Sequence, residues 1–148
     1  MSAAETKSPA GRSCGECTLC CKVIGIAALD KPRGRWCQHC EAGVGCRIYE
    51  RRPEECRSFD CGYLLNPNLD EHWRPSKAKL IVAYRGSYNA VSIHVDPAYP
   101  DAWRKEPYFS RIAAWVAAAA AKRLEPVILW QGEKKLALTP ATLPTAGR

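Results

Sequence analysis

With 148 residues, 47% of them hydrophobic, the chain can close one modest core and is too short for several domains. Its longest apolar run, IAAWVAAAAA starting at Ile112, is too short to cross a bilayer, and the opening MSAAETKSPAGRS has no apolar stretch to serve as a signal-peptide core. These features predict no membrane segment, no export and a cytoplasmic location.

The formal charge of +7 points toward an anionic partner until the nine cysteines are considered. Thiolates bind metal and neutral thiols do not, so ligation adds negative charge. Eight thiolates holding two zinc ions would bring the total down to about +3. The basic excess then balances anionic metal sites, and charge alone no longer argues for a nucleic-acid partner. Residues 62–148 carry 12 Lys/Arg against 7 Asp/Glu with no dense basic run, which also fits poorly with a nucleic-acid interface.

Residues 1–12 are polar and small and read as a tail. Residues 13–75 form a cysteine-cluster lobe: all nine cysteines lie between Cys14 and Cys61. In a secreted protein this block would be a disulfide framework. An odd count without an export signal favours metal ligation instead. Within the lobe, Pro53 followed by Glu54 and Glu55 marks a helix start, from which Cys56 projects.

Residues 76–140 change character. KLIVAYR (79–85) and YNAVSIHV (88–95) are rich in β-branched and aromatic residues and flank Gly86-Ser87, a two-residue hairpin signal. Phe109, Ile112, Val116 and Ala120 then recur at helical spacing, with Lys122 and Arg123 near the C-terminal end and Pro126 beyond it. VILWQ and KKLALT, joined around Gly132-Glu133, form a second hairpin before the tail 141–148. The expected fold is therefore α+β: a small antiparallel sheet of two hairpins, one long helix, and a metal-organised lobe of short helices in the same domain.

The stretch CGECTLCC, from Cys14 to Cys21, carries the strongest chemical signal. A thiolate is a soft, anionic donor suited to zinc, iron or an iron–sulfur cluster, and two intervening residues let a tight turn aim two sulfurs at one point. The C-x2-C-x2-C run matches the opening of a bacterial ferredoxin motif, and the match stops at Cys21, which follows Cys20 directly. In extended backbone, adjacent side chains point to opposite sides, so Cys20 and Cys21 would serve two centres, or one would bridge. The bland alternative for Cys21 is a small buried apolar residue. Cys37, Cys40, Cys46, Cys56 and Cys61 complete the set, and WCQHC adds a second C-x2-C with His39 inside it as a nitrogen donor or as an outer partner of the thiolates. Tyr49 reads as a packing wedge, while Arg52 and Arg57 read as charge partners of the thiolates or of nearby acids. His94 reads as an ordinary strand residue.

CGECTLCC followed by CRIYERRPEECRSFDC resembles the bacterial family defined by C-x2-C-x2-C-C, described as zinc- or iron-chelating proteins. The second motif is present as Cys46, Ile48-Tyr49-Glu50, Arg52-Pro53 and Cys56-Arg57-Ser58-Phe59-Asp60-Cys61. The resemblance covers Cys14 to Cys61. It implies metal ligands at Cys14, Cys17, Cys20, Cys21, Cys37, Cys46, Cys56 and Cys61, with Cys40 at a position where the family has an apolar residue, and with Cys40 and His39 as alternates. It implies zinc or iron, an iron–sulfur cluster included, as cofactor. Some relatives carry the cluster within larger proteins, among them a flagellin lysine methylase.

No catalytic residue stands out in this chain, and no G-x-G-x-x-G loop points to a nucleotide cofactor. Three functional readings follow: a cytoplasmic metal-binding protein, a zinc-stabilised adaptor for a protein or nucleic acid, and an iron–sulfur redox enzyme or accessory of a modifying enzyme. Metal ions are the implied partners in all three.

Overall fold

A computed structural model of the chain describes residues 17–51, 61–85 and 90–143. The helix start at Pro53, the ligands Cys14 and Cys56, the residues Arg52 and Arg57, the Gly86-Ser87 turn and both chain ends lie outside the described residues. The fold is α+β, as the sequence pattern indicates.

Four strands, β3 (Leu80–Arg85), β4 (Ala90–Val95), β5 (Val127–Gln131) and β6 (Lys134–Leu138), form one sheet in the order β3-β4-β5-β6. Each hairpin is antiparallel, and β4 pairs with β5 in parallel. The joint therefore corrects the expectation of an all-antiparallel sheet. A long helix, Tyr108–Ala121, returns the chain to the end of the sheet from which β4 started, and such a crossover is what a parallel pair requires. In the first hairpin Arg85 pairs with Ala90. In the second hairpin Gln131 pairs with Lys134, and Gly132 takes φ 63 at the first central position, as primed turns demand.

Strand alternation gives the sheet two working faces. Leu80, Val82, Ile93, Val95, Val127 and Leu129 bury against Phe109, Ile112 and Val116 of the long helix, together with Trp73 and Trp103. The helical stripe ends on Ala119, which is buried, and not on Ala120, which is exposed, so its buried spacing runs 109, 112, 116, 119. The same core takes in Tyr63 from the short helix Gly62–Leu65 and Leu69, both within the range that reads as cysteine lobe.

The opposite face carries Ile81, Ser92, His94 and Trp130, and the N-terminal lobe sits on it. Leu19 and Val23, four residues apart on α1 (Cys20–Val23), bury with Ile81 in a small second cluster. Lys22 reaches Asp96 at 2.7 Å, and Arg33 lies 3.8 Å from the centre of the Trp130 ring. The sheet is thus sandwiched between the long helix and the cysteine lobe.

Candidate metal centre

The lobe is built on short elements. Leu19, in αR conformation, starts α1, so Cys20 and Cys21 are helical neighbours about 100° apart and not alternating residues of an extended chain. That corrects the geometric premise read from the sequence, and the two thiols are in contact with each other. Cys20 and Cys61 each pack against the Leu19, Val23 and Ile81 cluster. Cys21 contacts Cys20 on one side and Cys40 on the other, each through a side-chain hydrogen bond.

WCQHC folds as a tight turn, as its spacing predicts: the Cys40 amide donates to the Cys37 carbonyl at 3.0 Å. The Cys37 amide donates to the Cys21 carbonyl at 2.9 Å, which fixes the turn to α1. The His39 amide donates to Cys37 Sγ at 3.4 Å, and the His39 ring nitrogen Nε2 lies 3.4 Å from the Gln38 amide nitrogen. From the turn the chain enters a two-stranded ribbon, β1 (Cys40–Glu41) and β2 (Gly45–Cys46), in which Cys40 pairs with Cys46. Directly opposed residues project from the same face, about 5 Å apart at Cβ. Thr18, buried under the ribbon, accepts the Gly43 amide at 2.9 Å and hydrogen-bonds Cys40.

Cys61 is held separately. It bridges to Ala83 at the free edge of β3 and packs on both apolar clusters. Gly62, next to it, lies so close to β3 that an added Cβ would stand 2.7 Å from the Val82 carbonyl oxygen. Only glycine permits that approach. Cys17, half-buried, stands at the start of the described residues, and no described cysteine is in a disulfide.

The electrostatics follow from crowding. The Cys21 thiol is pushed far above its ordinary range, first by its hydrogen bond with Cys20, then by burial and by the charge of Cys20, with Cys40 and Lys31 opposing. Cys40 is pushed up to about 12, first by burial and then by Cys21. The counter-charge is Lys31, a residue that sequence reasoning missed. It is buried, and its ammonium donates to the carbonyls of Lys22 at 2.9 Å, Pro32 at 3.0 Å and Ile24. Burial lowers its pKa, while Cys37, Cys21 and Cys20 act to raise it. Nothing in ALDKPR marks this lysine, because its role arises only when residues 22–32 fold back on themselves.

Among the described residues, no three His, Cys, Asp or Glu side chains surround a common point that could hold a metal ion. Cys20, Cys21 and Cys40 form a chain of contacts with Cys21 in the middle, and not a closed cage. The donor chemistry fits a thiophilic metal: thiols dominate, Cys37 and Cys40 come from one turn, and Cys46 is placed beside Cys40 by the ribbon. Of the eight cysteines implied by the resemblance, Cys17, Cys20, Cys21, Cys37, Cys46 and Cys61 are described. Cys40 sits among them, against Cys21. Comparison with protein-family models, with curated proteins and with solved structures finds no match to this chain.

Proposed function

We propose that the lobe binds zinc or iron through its cysteines and that the protein works as a cytoplasmic metal-binding or iron–sulfur protein. The observation that supports this reading is the run of thiol contacts in which Cys21 hydrogen-bonds both Cys20 and Cys40. Once deprotonated, neighbouring thiols of this kind can donate to one metal ion or bridge two. Cys40 enters the proposed ligand set on the strength of its contact with Cys21, and His39, whose ring contacts Gln38, stays an alternate. The resemblance to the C-x2-C-x2-C-C family points the same way. When bound, the metal would supply cross-linking of the lobe as zinc, or electron transfer as an iron–sulfur cluster.

The test is metal and labile-sulfide content, with an absorption spectrum, on protein purified without oxygen. Stoichiometric zinc or iron, reduced in a Cys21→Ser variant, is the expected result. Folded wild-type protein that neither retains nor takes up metal would end the proposal. Equimolar sulfide with iron separates the cluster form from zinc.

A further inference from the structure

Away from the cysteines, on the helix-covered side of the sheet, a cavity of about 410 Å³ is lined by residues from three segments. Lys77 comes from the short helix Pro75–Ala78, Lys79 from the residue capping that helix, and Lys105 from the turn before the long helix. Tyr99 and Tyr108 form aromatic walls, and Asp101 is the one carboxylate of the lining, so the cavity is net positive.

The walls are fixed. Lys79 holds φ 64 because its amide donates to Pro75 and its carbonyl accepts from Asp96. Tyr99 donates its amide to Asp96 and accepts from the amide of Ala102, and the Tyr108 hydroxyl donates to the His72 carbonyl at 2.8 Å. The charges are not neutralised. Lys77 reaches Glu71 at 3.5 Å, with both side chains more than half exposed, which is a weak pair. Lys79 lies 5.1 Å over the Tyr99 ring, and Lys105 makes no ion pair among the described residues. Three lysines and a single carboxylate in one lining leave the hollow with an excess of positive charge that an anion would offset.

We infer that this cavity binds a small phosphate monoester, its phosphoryl group among the lysines and its organic part against Tyr99. Lysines act as point charges around a tetrahedral anion, whereas planar carboxylate recognition favours arginine, which the lining does not contain. The volume lies in the range of small-molecule sites and exceeds what a bare phosphate would fill. Tyr99, 49% exposed despite its size, offers a surface for the remainder of such a ligand.

Titration of the full protein with phenyl phosphate and with inorganic phosphate at low salt tests this. The expected result is saturable binding of phenyl phosphate at about 1 mM or tighter, weakening as salt rises. Lys105→Gln, and separately Lys79→Asn, whose asparagine tolerates the positive φ, should each weaken it by about tenfold without moving the melting temperature. Tyr99→Leu should weaken phenyl phosphate and leave inorganic phosphate unchanged. Absence of saturable binding, equal binding by the lysine variants, or a Tyr99→Leu variant indifferent to both ligands would overturn the assignment.

Discussion

Arg33 Nη1 lies 3.1 Å from His94 Nδ1, and this contact joins the cysteine lobe to the sheet. A guanidinium can only donate, so Nδ1 accepts, and the ring carries its proton on Nε2, 3.0 Å from Ser92 Oγ. The same guanidinium lies over Trp130, whose ring is nearly parallel to that of His94, with 4° between the planes. Burial lowers the Arg33 pKa and Glu133 opposes that shift, so the group sits in a partly dry site where losing its acceptor matters. His94→Leu should destabilise the protein by about 1–3 kcal/mol in denaturant unfolding. Arg33→Lys should fail to replace the native residue, because an ammonium cannot both stack and donate in the guanidinium plane. Wild-type stability in either variant would mean that the lobe docks by apolar contact alone.

A second tie is the Lys22 and Asp96 pair at 2.7 Å, with side-chain exposures of 16% and 5%. Asp96 also accepts the Ala98 amide at 2.9 Å, so its carboxylate stays in place when the lysine is removed. Lys22→Met should therefore cost about 3–5 kcal/mol through an unpaired buried charge. The double variant with Asp96→Asn should cost less than Lys22→Met alone. A double variant no more stable than Lys22→Met would argue against the pair.

The α+β half was legible because its elements are set by short-range pattern. β-branched and aromatic runs named the first two strands, the Gly132-Glu133 turn between VILWQ and KKLALT named the last two, and Phe109, Ile112 and Val116 named the helix. The parallel joint between β4 and β5 was not legible, because hairpins and crossovers differ in the path between elements and not in strand composition. In the lobe, the C-x2-C turn at Cys37 and Cys40 could be read, since two intervening residues define it locally. The vicinal pair could not: alternation assumed extended backbone, whereas burying Leu19 and Val23 on Ile81 winds Cys20 and Cys21 into a helix. Lys31 and Arg33 were invisible for the same reason, their partners being supplied by folding. His94 reads as an ordinary strand residue, packed or exposed; it is in a strand and buried at 7% exposure, and its contact with Arg33 was not foreseen.

Gly62 places Cys61 against the edge of β3. Alanine there would bring its Cβ to 2.7 Å from the Val82 carbonyl oxygen and 3.1 Å from the Val82 side chain. The obstacle is backbone, so the helix Gly62–Leu65 has to move, taking Cys61 and Tyr63 with it. Gly62→Ala should lower stability by about 1–3 kcal/mol and reduce bound metal together. Metal content preserved at wild-type level in a destabilised variant would remove Cys61 from the ligand set.

The crowded thiols predict opposite pH responses with and without metal. In metal-free protein, Cys40 is raised from 9.0 to about 12, so the folded state holds its proton more tightly than the unfolded chain. Its contribution is complete below about pH 9 and is lost as pH climbs toward 12, because in that interval only the folded form keeps the proton. Cys21 is shifted in the same direction. The melting temperature in chelator and reductant should therefore fall as pH rises above about 9, and the fall should shrink in Cys40→Ser. Metal inverts the sign, because a ligating thiol must give up its proton, so zinc affinity should increase with pH and zinc uptake should release protons. A melting temperature insensitive to base in chelator, or zinc uptake without proton release, would contradict the arrangement of Cys21 against Cys40.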